Sequence, residues 1–141
     1  MYEDLKGKTA LITGSGKRTG MGYAMAEALA GSGANVIIAD LGRGEVIDDD
    51  LKMGAWEEMT RLAGELAERF GVKTLAVPVD VTDNASIGAM VAAVREHFPR
   101  VDILCNNAGA SFGVPNTVLT YDEAAWLKTI DVNLHSVFRV S

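Results

Sequence analysis

One cysteine, Cys105, is all the chain has. It excludes an internal disulfide and fits a reducing compartment, so a cytoplasmic protein is expected. Histidine is nearly as scarce: His97 and His135 have no second ligand at useful spacing, so no metal site is expected. Positive charge is in deficit, with 13 Lys and Arg against 19 Asp and Glu and a formal net charge of −6. No basic stripe interleaved with aromatics offsets that balance, which argues against nucleic acid or an anionic membrane surface as partner. Apolar runs of membrane length are missing, and the polar residues 1–8 lack the apolar core of a signal peptide. Internal repeats and low-complexity tracts do not occur.

What remains is the composition of a globular α/β protein, 48% hydrophobic and 23% charged over 141 residues. A chain of this size buries roughly two-thirds of its unfolded surface, enough for one core. Four apolar runs rich in Val, Ile, Leu and Thr (9–13, 35–39, 74–79 and 101–106) read as strands. Their continuous rather than alternating hydrophobicity suits parallel strands covered on both faces. Four helical patterns alternate with them. The first presents Met21, Met25, Ala28 and Leu29 and ends at Gly31-Ser32-Gly33; the second, about 55–70, presents Met59, Leu62, Leu66 and Phe70 and stops at Gly71. The third starts near Thr82-Asp83 and presents Ile87, Met90, Val91 and Val94. The fourth is expected from a Thr120-x-x-Glu123 capping box through Trp126 and Ile130 to about Phe138. Leu41 to Gly54, with Glu45 and Asp48-Asp49-Asp50, reads as a solvated surface excursion rather than a cation site. The fold class expected is a doubly wound, Rossmann-type parallel sheet.

The first strand breaks at Thr13 into a glycine-rich loop that leads into a helix. Gly14, Gly16 and Gly20 let main-chain N–H groups approach a phosphate, Lys17 and Met21 lie among them, and the helix N-terminus adds its positive dipole end. The loop is neither GxGxxG, since Thr19 fills the last slot, nor the GxxxxGK[ST] loop of nucleotide triphosphatases. The second strand ends in Asp40, where a carboxylate can accept both hydroxyls of an adenosine ribose and repel a 2′-phosphate. NAD is therefore expected over NADP, although Lys17, Arg18 and Arg43 could neutralise a phosphate there. At the carboxyl end of the fourth strand, Asn106-Asn107-Ala108-Gly109 could tie strand ends together and let backbone lie flat beside a cofactor.

Four motifs in order resemble those of the short-chain dehydrogenase/reductase family. Thr13-Gly14…Gly20-Met21-Gly22 is similar to its TGxxxGxG loop, and Asp80-Val81 to its adenine-contacting pair. Asn106-Asn107-Ala108-Gly109 matches its NNAG motif, and Asp131-Val132-Asn133-Leu134 resembles the helix segment that carries its catalytic asparagine. The resemblance covers essentially the whole chain. It implies a dinucleotide-dependent oxidoreductase that moves hydride between a nicotinamide and a small alcohol or carbonyl substrate, with Asn133 in its proton relay. It also implies a homo-oligomer, dimer or tetramer.

Two departures from the family pattern bear on function. Five residues separate Gly14 from Gly20, longer than is usual in the family and closer to its enoyl-reductase-like loops. The family's catalytic serine and Tyr-x-x-x-Lys have no counterpart here: Tyr121 is followed four places on by Ala125, and Tyr2 and Lys6 precede the first strand. Residues 1–141 are thus expected to be a single, incomplete dinucleotide-binding domain that is inactive alone. The alternatives are a non-catalytic dinucleotide-binding subunit that pairs with another chain, or an enoyl-thioester reductase. The fourth strand is expected to be left with an unpaired edge, and the helix after Thr120 with an uncovered apolar face.

Overall fold

A computed structural model describes residues 3–43, 46–48, 51–52 and 55–141. Strands β1 (Thr9–Thr13), β2 (Asn35–Asp40), β5 (Thr74–Pro78) and β6 (Ile103–Cys105) form a parallel sheet in the order β5-β2-β1-β6. Register is set by Thr9 opposite Asn35 and by Ala10 opposite Ile103. The chain steps outward from β1 to β2 and β5, then returns to the far side of β1 as β6. Strand order therefore reverses between β1 and β6, and a crevice at such a reversal is where open α/β sheets bind ligands.

The central strands β1 and β2 are buried on both faces because helices cover both. On one face Ala10, Ile12, Val36 and Ile38 meet α1 (Met21–Gly31) and α2 (Trp56–Phe70) through Tyr23, Ala26, Ala30, Met59, Leu62 and Leu66. On the other, Leu11, Ile37, Ala39 and Val77 meet α3 (Asn84–His97) through Ile87, Met90 and Val94. Adjacent strand residues serve opposite layers, as the two-residue repeat of a strand requires. This is the doubly wound Rossmann-type arrangement read from the sequence.

Helix boundaries follow local chemistry. Gly71 ends α2 at φ 67°, and the Asp83 carboxylate caps α3 by accepting the Ala85 N–H at 2.9 Å. Three local expectations are corrected. Met21, Met25 and Ala28 of α1 face solvent, and the buried stripe is Gly22, Tyr23, Ala26 and Ala30. Gly22 has to be small because a Cβ there would collide with the Gly14 carbonyl and the Asn107 amide. Val91 is likewise exposed on α3. The fourth helix, α4 (Glu123–Ile130), starts from Asp122, whose carboxylate accepts the Ala125 N–H at 2.9 Å. Thr120 Oγ1 is taken up by Asn116 and Thr117 instead, so no capping box forms at Thr120.

A π-helical turn, Asp131–His135, then joins α4 to α5 (Ser136–Val140). In the excursion after β2, β3 (Val46–Asp48) and β4 (Leu51–Lys52) pair antiparallel. Glu45, Asp49 and Asp50, named above as acidic, lie outside the described residues. Among the described residues β6 pairs only with β1, and Leu104, Trp126, Leu127, Leu134 and Phe138 are exposed. No helix of the described residues is long and apolar enough to cross a membrane.

Candidate functional site: the carboxyl edge of β1 and β6

Thr13, the last residue of β1, is almost wholly buried, and its hydroxyl joins the two strand ends. Thr13 Oγ1 accepts the N–H groups of Asn107 (3.1 Å) and Ala108 (3.0 Å). The Asn107 side-chain amide also donates to the Thr13 and Gly14 carbonyls, each at 3.0 Å. Gly14 turns the chain at φ 66°, and a Cβ there would stand 2.8 Å from Ala108 Cα. A Cβ on Gly22 would stand 2.6 Å from Asn107 Nδ2. These glycines let loop, helix and Asn106–Gly109 turn touch main chain to main chain. Asn107 is thus the tie between the strands, while Asn106 Nδ2 donates to Ser141 Oγ at 3.1 Å.

The loop is held from a second side by β2. Buried Ser15 donates from Oγ to the Ile12 carbonyl (2.7 Å) and accepts the Ala39 N–H (3.2 Å). Asp40 Oδ2 accepts the Gly16 N–H and Oδ1 the Leu41 N–H, both at 2.8 Å. Burial pushes the Asp40 carboxyl above the ordinary aspartate range, against the lowering effect of those two N–H donors; nearby Glu58 adds to the rise. Ser15 carries no signal in the sequence, because a short polar residue in a glycine loop is unremarkable until its neighbours are known.

The far end of the loop opens onto α1. The Gly20 N–H closes a turn on the half-buried Lys17 carbonyl at 3.0 Å. Gly20 is the N-cap and no side chain caps the helix, while Met21 is 76% exposed at its mouth. An uncapped N-terminus at the carboxyl edge of a parallel sheet suits a phosphate group. On that ground the residues fit the pyrophosphate of a dinucleotide.

The remaining sequence-predicted residues flank this centre. Asp80 follows β5, and its Oδ1 accepts both the N–H (2.9 Å) and hydroxyl (2.6 Å) of Thr82. The Val81 side chain is buried in the core beside Ile87, so only its main chain is left for a ligand. Asn133 sits in the π-helical turn, where Nδ2 donates to the carbonyls of Ala110 (2.5 Å) and Thr129 (2.8 Å). A Cβ on Gly109 would lie 2.6 Å from Asn133 Oδ1, so the helix docks directly on the Asn106–Gly109 turn. Tyr121 is not near any lysine four places on; its hydroxyl donates to the Phe112 carbonyl. The loop, Asp40, the Asn106–Gly109 turn and Asn133 therefore share one edge, with Asp80 and Val81 one strand beyond.

The family model for short chain dehydrogenases matches residues 8–141. The chain belongs to the short-chain dehydrogenase/reductase family. It is 36% identical over 138 residues, 98% of its length, to 3beta-hydroxysteroid dehydrogenase 1 of Eggerthella lenta, of which it covers 46%. L-sorbose reductase of Gluconobacter frateurii, solved with NADPH and L-sorbose, superposes with a TM-score of 0.77 at 32% identity. That match covers 96% of this chain and 45% of the reductase. RhlG of Pseudomonas aeruginosa, solved with NADP, has a TM-score of 0.77 at 30% identity, covering 99% of this chain and 48% of RhlG. The chain thus spans about half the length of the relatives it matches.

These neighbours correct the expectation of NAD over NADP, since both solved relatives hold the phosphorylated dinucleotide. The physical reason lies at Asp40. The expectation took its carboxylate as free to accept a ribose and repel a phosphate. Here each of its oxygens already accepts a main-chain N–H group, so the carboxylate also serves to hold the glycine-rich loop to the end of β2.

Proposed function

We propose that this chain is the nucleotide-binding part of an NADP(H)-dependent oxidoreductase that interconverts a small alcohol and a carbonyl. The observation that carries this reading is the uncapped α1 N-terminus beside the Thr13–Asn107 tie, at the strand-order reversal. Gly14, Gly16, Lys17, Gly20 and Met21 would hold the pyrophosphate, chiefly through main-chain N–H groups. Asp80 and the Val81 main chain would border the adenine. Asn106, Ala108 and Gly109 would form the flat floor beside the ribose and nicotinamide. A bound nicotinamide supplies hydride exchange with the substrate carbon. Asn133, hydrogen-bonded to the carbonyls of Ala110 and Thr129, would steady the turn under that ring and take part in the proton relay.

The proton donor itself has no candidate among the described residues, so the 141-residue chain alone is expected to show no turnover. Loss of a positioned acid/base costs 10²–10⁴ in rate, as an order of magnitude. A cytoplasmic homo-oligomer, with the exposed faces of β6 and α4 covered, completes the reading. The test is a titration of NADPH and NADH into the protein expressed from its complete reading frame. Saturable binding with NADPH the tighter ligand is expected; no binding of either overturns the proposal.

A further inference from the structure

A glycine-rich loop has little rigidity of its own, and an ordered loop binds better because the ordering cost is met beforehand. Two anchors of this loop, on β1–β6 and on β2, are described above. A third comes from α2. The Arg18 main-chain N–H donates to Glu58 Oε1 at 3.3 Å, and the Arg18 guanidinium pairs with Glu65. Glu58 and Glu65 are seven residues apart, so they share a face of α2 and lie roughly 10 Å apart along its axis. The Arg18 guanidinium also lies over the Tyr23 ring, 5.4 Å from its centroid. Arg61 Nη1 donates to the other oxygen of Glu65 at 2.6 Å and fixes that carboxylate from behind. A loop of five residues between Gly14 and Gly20 has room to reach α2 in this way.

We propose that Arg18 and Glu65 form a clasp that holds the glycine-rich loop against α2 and so sets dinucleotide affinity, with Arg18 as a positioning residue rather than a phosphate ligand. This rests on the reading of the loop as a dinucleotide site. The clasp acts on the loop and not on the 2′-phosphate, so it affects NADPH and NADH alike. If Arg18 were instead a ligand of the 2′-phosphate, Glu65 would compete with that phosphate and its neutralisation would tighten NADPH alone.

The experiment measures dissociation constants of both nucleotides for Arg18→Gln, Glu65→Gln and the double variant. The protein is expressed from its complete reading frame, and melting temperatures are recorded in parallel. Each single variant should weaken both nucleotides about two- to five-fold, the range an exposed pair supports. The double variant should be no weaker than either single one, and high salt should erase the differences. Unchanged binding in Glu65→Gln, tighter NADPH binding, or additive losses would each overturn the clasp. Failure of the unmutated protein to bind either nucleotide would overturn the functional reading itself.

Discussion

Asn107 and Thr13 are bound to each other twice: the Asn107 amide donates to the Thr13 carbonyl at 3.0 Å, and Thr13 Oγ1 accepts the Asn107 N–H at 3.1 Å. With Asn107 the donor in both, the two bonds fix the ends of β1 and β6 at the point where strand order reverses. It is the structural reason that loop and turn face each other across the crevice.

Thr13→Val keeps the shape and removes the oxygen, leaving the N–H groups of Asn107 and Ala108 without their acceptor. An unsatisfied buried donor costs about 1–3 kcal/mol. Asn107→Asp should be at least as harmful, because a carboxylate would face the Thr13 and Gly14 carbonyls. Urea denaturation of the protein expressed from its complete reading frame measures both. Variants as stable as the parent would show that the tie contributes nothing.

Gly22→Ala tests the close approach of α1. The added methyl would collide with the Asn107 amide and the Gly14 carbonyl, although alanine is the better helix former. A loss of about 1–3 kcal/mol is expected, the usual range for overpacking. A gain in melting temperature would mean that the helix can move away freely.

Gly20→Asp separates fold from site. An aspartate at the N-cap supplies the missing side-chain acceptor and favours the helix by a few tenths of a kcal/mol over glycine, by order of magnitude. It also puts a negative charge where the pyrophosphate would bind. The melting temperature should hold while NADPH affinity falls at least ten-fold, about 1.4 kcal/mol. Equal affinity in parent and variant would remove the phosphates from this helix end.

Asp40 predicts a pH dependence. Burial raises its carboxyl in the folded state, so the native protein holds that proton more tightly than the unfolded chain does. The resulting stability is fully present below the unfolded value of about 3.9 and is lost as pH rises through the raised folded value. Asp40→Asn should lack that fall, which denaturation at closely spaced pH values across this window will reveal. A variant with the same slope as the parent would mean that Asp40 does not titrate as its burial dictates.

Much of this was legible in the residues. Continuous apolar runs can be buried only between two helical layers, so the parallel sheet followed from Thr9–Thr13 and Asn35–Asp40 directly. Met59, Leu62 and Leu66 recur at helical spacing and are buried on α2 as that spacing requires. The buried stripe of α1 is not legible from hydrophobicity, because close backbone contact sets which residue fits. Here Gly22 sits against the Gly14 carbonyl and the Asn107 amide, so the buried face is Gly22, Tyr23, Ala26 and Ala30, and Met21 and Met25 turn outward.

The motifs by themselves determined the family and put the candidate site at the strand ends, because each depends on a local conformation that few residues permit. Tertiary structure alone decided what each polar group does. The Asp40 carboxylate accepts from Gly16 rather than standing free, Asn107 rather than Asn106 joins the strands, and Arg18 reaches Glu65 on α2. A hydrogen-bond donor or acceptor has many possible partners along a chain, and folding brings only a few of them within reach.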